Sequence, residues 1–268
     1  MAHFHASLTC LSRSKGHSAV AAAAYRNGLR AVDERTGVMH DFTRRRVVTF
    51  SRVFVPPGVF LLERFEYWNQ AEAAERRKNS TVARDLVLSI PFELPHHARV
   101  EVIESISKWL TNRYHCLVDA VLHDPSHSND PRNYHAHLLM STRRITNFGF
   151  SKKCRELDDR KSGPNEIRAI REKWCDLVNL QLEVHKIADR IDHRSHRNRG
   201  LQELPTIRHG RGPDAKRKKA YNRTVLSLNQ QLLQSLADED QSKPVSHSSW
   251  AKEIDDSHQF GVERERPH

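Results

Sequence analysis

Residues 117–142 read LVDAVLHDPSHSNDPRNYHAHLLMST, two apolar runs on either side of the polar loop DPSHSNDPRN. Each run has the length and composition of a strand, and the Asp, Pro, Ser and Asn residues between them break regular structure. Residues 117–123 and 134–142 are therefore expected to pair across a long hairpin connection. Side chains two apart on a strand share a face, so His135 and His137 point the same way. If the strands pair, His123 at the end of the first comes within reach of both. Three neutral imidazoles with open coordination positions suit Mn²⁺, Zn²⁺, Ni²⁺ or Co²⁺, whereas Mg²⁺ prefers oxygen ligands. Such an ion polarises a phosphate oxygen and stabilises the charge that builds during displacement. The chain has 18 histidines, and packing accounts for many HxH pairs; the third histidine, at a strand end, turns the reading toward metal.

Outward from this hairpin, residues 82–90 look like a buried strand stopped by Pro91, and residues 47–55 read as a strand closed by Pro56 and Pro57. Residues 4–11 alternate loosely, as a half-buried strand does. Ser18 is placed to cap a helix over residues 19–25, where four alanines precede Tyr25. Residues 60–78 read as an amphipathic helix. Another follows Pro95, with Val100, Ile103, Ile106, Trp109 and Leu110 as its apolar stripe. Residues 165–185 begin just after Pro164 and carry Ile167, Ile170, Trp174, Val178 and Leu182 along one side. The expectation is one α+β domain over residues 1–204. Beyond it lies a basic, polar tail, 205–268, largely extended or disordered, in which only residues 225–236 suit a helix.

The chain carries 44 Lys and Arg against 33 Asp and Glu, a net charge of +11, which draws it toward polyanions and above all nucleic acid. Arg26, Arg44, Arg45, Arg77, Arg143, Arg194 and Arg197 lie in or beside the basic runs and are the candidate phosphate contacts; for any one run a solvated basic face is the competing explanation. Cys10, Cys116, Cys154 and Cys175 form no CxxC pair, which argues against a zinc cluster and for a reduced cytosolic protein. No signal peptide is read at the N-terminus, and no apolar run approaches the roughly 20 residues that span a bilayer. A cytoplasmic protein without membrane insertion is expected. Tyr25 has small neighbours that let a bulky substrate approach, though on its residues alone it reads first as a buried or capping ring.

Six runs together resemble the MobA/MobL (MobQ-type) plasmid mobilisation relaxases of the histidine-hydrophobic-histidine (HUH) endonuclease class. They are SRSKGHSAVAAAAYRNG (12–28), HDFTRR (40–45), YWNQAEAAERRKNSTVARDLVLSIPFEL (67–94), HDPSHSNDPRNYHAHLLMSTR (123–143), REKWCDLVNLQLE (171–183) and IDHRSHRNRG (191–200). The resemblance implies a central antiparallel β-sheet flanked by helices, with the histidines on central strands. It implies an enzyme that nicks one DNA strand at an origin of transfer, leaving a reversible 5′-phosphotyrosyl link and a free 3′-hydroxyl. On this chain the nucleophile falls on Tyr25 and the metal ligands on His123, His135 and His137, with Mn²⁺ or Mg²⁺ as the expected ion and other transition metals open. Glu75 and Asp85 match positions where the family carries carboxylates near the site, to take the phenolic proton or to orient a ligating imidazole. Glutamates on a helix rich in Glu and Arg, Glu72 and Glu75 among them, are ordinarily just solvated. The implied partners are origin-of-transfer DNA, single-stranded and supercoiled, with accessory mobilisation proteins and a conjugative coupling protein. Two departures stand out. The loop before HAH is long, which makes His127 a substitute ligand, and Tyr134 stands where proline is usual. Another HUH endonuclease, a rolling-circle replication initiator or transposase, shares the chemistry, but those groups usually place the tyrosine after the histidines. A non-catalytic basic DNA-binding protein is the remaining alternative.

Overall fold

A computed structural model describes residues 4–44, 48–125, 130–207 and 212–242. The chain divides into two units, Met1–His193 and Arg194–His268. The first holds eight strands among the described residues: β1 (Ala6–Ser12), β2 (Arg30–Asp33), β3 (Val38–Asp41), β4 (Val48–Phe54), β5 (Thr81–Ser89), β6 (Cys116–His123), β7 (His135–Thr146) and β8 (Gly149–Lys153). Its helices are α1 (Ala19–Asn27), α2 (Arg64–Ala74), α3 (His96–Tyr114) and α4 (Gly163–Val184). The main sheet runs β1-β5-β7-β6-β4 with β8 on the far end of β7, every pair antiparallel, while β2 and β3 form a separate hairpin. This is the helix-flanked antiparallel sheet of an α+β fold.

The period-two alternation of the strands sends side chains into two apolar layers. Leu86, Leu88, Ala120, Leu122, Ala136, Leu138 and Met140 pack with α3 and α4. Ala83, Leu117 and Leu139 face the other way, against the alanines of α1 and Tyr67 and Trp68 of α2. The histidines belong to this second face, at the edge of its apolar layer. β6 is buried at every position, as a central strand should be.

Helix α2 is shorter than the sequence pattern suggests, because side chains claim the backbone groups at both ends. Asn147 takes the Phe60 N–H at 2.8 Å, and the Tyr67 hydroxyl accepts from Leu62 N–H at 3.0 Å while donating to the Phe60 carbonyl at 2.6 Å. At the far end the Arg13 guanidinium donates to the carbonyls of Glu72, Glu75 and Arg77. The β2–β3 hairpin was not anticipated. Its strands are four residues long, and its turn is organised by Asp33, whose carboxylate accepts from the Arg35 and Thr36 amides. β8, which starts at Gly149 after the turn at Asn147 and Phe148, is likewise an addition to the sequence reading.

The second unit contains α5 (Ala215–Ser242), 28 residues long, where only a short helical segment was expected. Its Lys, Arg, Leu, Gln and Ala residues are good helix formers even where no periodic core face is legible. An extended segment lies along it. Asn229 pairs with both backbone groups of Leu204 and Asn222 with both of Ile207, at 2.7–2.9 Å. Among the described residues no helix is long and apolar enough to cross a membrane.

Candidate active site

Strand register brings the three histidines together. His123 closes β6 directly opposite His135 on β7, and His137 lies opposite Val121 on the same face. Opposed residues of an antiparallel pair stand side by side. The ring centroids are 5.3, 5.1 and 5.4 Å apart, and one donor atom from each ring lies within 4.8 Å of the others.

Each ring has a nitrogen held by an acceptor. His137 Nδ1 donates to Asp85, 3.2 Å from both carboxylate oxygens. His135 Nδ1 donates to the Asn133 carbonyl at 2.9 Å, and His123 Nε2 to the Arg26 carbonyl at 2.6 Å. An acceptor fixes a proton on the nitrogen facing it, so the lone pair belongs to Nε2 of His135 and His137 and to Nδ1 of His123. Burial pushes the His135 pKa below the ordinary histidine value, against the pull of the Asn133 bond, and so favours the neutral, ligating form. Three imidazoles oriented in this way are a fitting donor set for a divalent transition ion.

Asp85 reaches His137 from β5, where Val87 is the direct partner of His137 and Asp85 lies two residues away on the same face. Arg26 grips the carboxylate from the other side, Nε to Oδ1 at 2.9 Å and the second nitrogen to Oδ2 at 2.7 Å. Burial alone would raise the Asp85 pKa. The hydrogen bonds from His137 and Arg26, with the Arg26 charge, outweigh it and hold the group at about 2.

Arg26 arrives on the last turn of α1. Ser18 caps the start of that helix, accepting from the Ala21 N–H at 3.2 Å, and the buried Ala19, Ala23 and Ala24 let it lie close to the sheet. Gly28 ends it in the left-handed region, at φ 63°. The Arg26 carbonyl is therefore one of the last four without a helical partner, and it meets His123 instead. Asn27, next in sequence, donates to buried Asp119 on β6 at 3.3 Å and accepts the Ser51 hydroxyl at 2.6 Å. Asp119 also takes the Trp68 indole N–H at 3.0 Å and pairs with Arg64 at 3.2 Å; burial raises its pKa against these partners. Tyr25 is 44% exposed on this anchored turn, its ring edge-on to Phe42 with centroids 5.2 Å apart.

The MobA/MobL family profile matches residues 17–219. The chain belongs to the MobA/MobL family. Among similar proteins is Mobilization protein MobL of Acidithiobacillus ferridurans, 37% identical over 232 residues, which are 77% of this chain and 61% of the relative. Conjugal transfer protein TraA of Rhizobium radiobacter is 28% identical over 84% of this chain but only 22% of its own length. The chain thus spans part of each relative. A solved structure from work on the molecular basis of vancomycin resistance transfer in Staphylococcus aureus matches with a TM-score of 0.64 at 25% identity, covering 72% of this chain and 100% of that one.

In this MobA/MobL chain Glu75 lies away from the histidines. It ends α2 and is buried, accepting from Thr142 at 3.0 Å, Arg143 at 2.8 Å and Lys153 at 2.9 Å. Thr142 is five residues beyond His137 on β7, roughly 16 Å along the strand, so Glu75 is outside the histidine site. Glu72 is not a solvated glutamate either, for it is fully buried, accepting from the Ala19 N–H at 2.6 Å and pairing with Arg13 at 2.6 Å. Two of the expected DNA contacts also have partners inside the protein. The Arg26 guanidinium is committed to Asp85 and the Ala22 carbonyl, and that of Arg143 to Glu75 and the Ser151 carbonyl. Arg44 and Arg77 are exposed in the first unit, and Arg194 and Arg197 in the second. Arg45 and the substitute ligand His127 lie outside the described residues. Sequence reasoning missed Asp119 as an anchor of α1 and α2. The signal was there, since a carboxylate within the apolar run LVDAVLH requires buried partners.

Proposed function

We propose that this chain is a conjugative relaxase that nicks one DNA strand at an origin of transfer by metal-assisted tyrosine transesterification. The observation that carries this reading is the junction between α1 and the histidines. The residue beside Tyr25 bonds His123 through its carbonyl and reaches His137 through Asp85. Relatives named for mobilization and conjugal transfer support the biological setting. In the proposed step Tyr25 Oη forms a bond to phosphorus, the bond from phosphorus to the 3′ oxygen breaks, and that oxygen leaves as a 3′-hydroxyl after taking a proton. The phenolic proton is lost on the way. The phosphodiester survives as a 5′-phosphotyrosyl ester, so the 3′-hydroxyl reverses the step without ATP.

His123, His135 and His137 would hold the divalent ion, which polarises a phosphate oxygen and stabilises developing charge. Asp85 serves as an orienting group rather than a base. Both its oxygens accept hydrogen bonds, and a carboxylate with a pKa of about 2 is a poor acceptor for a phenol whose reference value is about 10. Exposed arginines such as Arg44 and Arg77 would track phosphates. Accessory mobilisation proteins and a coupling protein belong to the same proposal.

The test is a nicking assay on supercoiled plasmid carrying the DNA that flanks the encoding gene, with Mn²⁺, Mg²⁺ or chelator. Wild type should yield metal-dependent open circles with protein attached to the 5′ end, and Tyr25→Phe should bind the DNA and leave it uncut. Cutting that persists in Tyr25→Phe sinks the nucleophile assignment. Salt-sensitive binding without any cutting by wild type favours a non-catalytic DNA-binding protein. Cutting at a replication origin or transposon end instead favours another HUH endonuclease.

A further inference from the structure

Arg26 touches the histidine cluster from both of its ends. Its backbone carbonyl takes the His123 Nε2–H at 2.6 Å, while its guanidinium closes a two-point grip on Asp85, whose oxygens take the His137 Nδ1–H. The third guanidinium nitrogen donates to the Ala22 carbonyl at 2.9 Å, one turn back on α1, so the fork is fixed to its own helix as well. The side chains of Arg26 and Asp85 are 11% and 9% exposed, which keeps the pair largely out of water. A planar fork matches both carboxylate oxygens at once, and a lysine ammonium does not.

We propose, resting on the metal reading above, that Arg26 is a positioning residue that makes the last turn of α1 and the histidine centre one mechanical unit. A shift of the turn moves the acceptor of His123 directly and the acceptor of His137 through Asp85. By the reciprocity of linked equilibria, an ion bound by the histidines should restrict the turn that carries Tyr25. A residue serving stability alone would leave metal affinity untouched in the folded protein.

The experiment titrates the full chain with Co²⁺, read by visible absorption, for wild type, Arg26→Lys, Arg26→Ala, Asp85→Asn, Tyr25→Phe and His137→Ala. Arg26→Lys and Asp85→Asn should bind Co²⁺ about 10- to 100-fold more weakly than wild type, as loss of an orienting partner commonly does. Added guanidinium ion should restore part of the affinity of Arg26→Ala, and Tyr25→Phe should bind as wild type does. Circular dichroism identifies which variants are folded, and Asp85→Asn carries the test if the Arg26 variants are not. A second readout uses 3-fluorotyrosine in place of the five tyrosines, with the Tyr25 signal assigned by its loss in Tyr25→Phe. Zn²⁺ should shift that ¹⁹F resonance in wild type and by less in Arg26→Lys, which keeps the backbone carbonyl that meets His123 but loses the fork on Asp85. Wild-type affinity and an unchanged Tyr25 response in folded Arg26→Lys overturn the coupling while leaving the metal reading intact. Wild-type Co²⁺ binding that survives His137→Ala overturns the metal reading, and the coupling with it.

Discussion

Glu72 and Glu75 stand three residues apart at the end of α2, and burial gives both of them work inside the protein. Glu72 closes the start of α1, while Glu75 gathers Thr142, Arg143 and Lys153 at the junction of α2 with β7 and β8. Glu75→Gln keeps the shape and removes the charge, which should cost about 1.5–3 kcal/mol at neutral pH, the usual contribution of a hydrogen bond to a charged group. Burial pushes the Glu75 pKa up, but the bonds from Lys153 and Arg143 and the Lys153 charge prevail and lower it from the ordinary value of 4.5. A depressed carboxylate contributes stability that is full above its unfolded pKa and lost as pH falls through the folded one. Urea unfolding at several pH values should therefore show the gap between wild type and Glu75→Gln widest near neutrality and closing in acid. Nicking by the folded variant should stay at the wild-type level. A large drop in cutting with no change in stability would return Glu75 to the catalytic site.

At the scale of elements, the two histidine strands were legible because composition and periodicity agree there. Residues 117–123 and 134–142 are apolar runs between turn-forming residues, and the observed register sets His123 opposite His135. Ser18 and the alanines marked α1 for the same reason. Its last turn was less legible. Nothing in the period of the chain says that the Arg26 carbonyl meets a histidine 97 residues away, because that contact depends on how helix and sheet dock. The hairpin β2–β3 was too short for its alternation to stand out, and the ends of α2 depended on side chains from Arg13 and Asn147. The stop of α1 offers a direct check. Gly28→Ala forces a Cβ into the left-handed region and should destabilise the protein by about 1–2 kcal/mol. Gly28→Asn should lose less, since asparagine tolerates that conformation. Equal stability of all three in thermal unfolding would show that the helix end does not depend on the glycine.

For the whole molecule the governing quantity is the net charge of +11, and the structure separates cations by whether the fold already uses them. Arg143 is held by Glu75 and the Ser151 carbonyl, whereas Arg77 stands exposed between α2 and β5. Under the relaxase reading, six to ten neutralised phosphates would weaken DNA binding by about 10³–10⁵ between 50 and 200 mM salt. Chelator should leave that slope alone, because phosphate contacts by arginine need no bound ion. The two arginines should then respond differently to truncation. Arg77→Ala is expected to lower the salt slope by about 1 and weaken binding to all sequences alike, with stability unchanged. Arg143→Ala is expected to lower stability by about 1–3 kcal/mol, because Glu75 loses a charged partner, and to leave the slope as it was. Fluorescence anisotropy across a salt series, beside urea unfolding of the same proteins, reads both quantities. If Arg143→Ala flattens the slope and Arg77→Ala does not, the DNA path runs over the β7–β8 end of the sheet and not along the loop that follows α2.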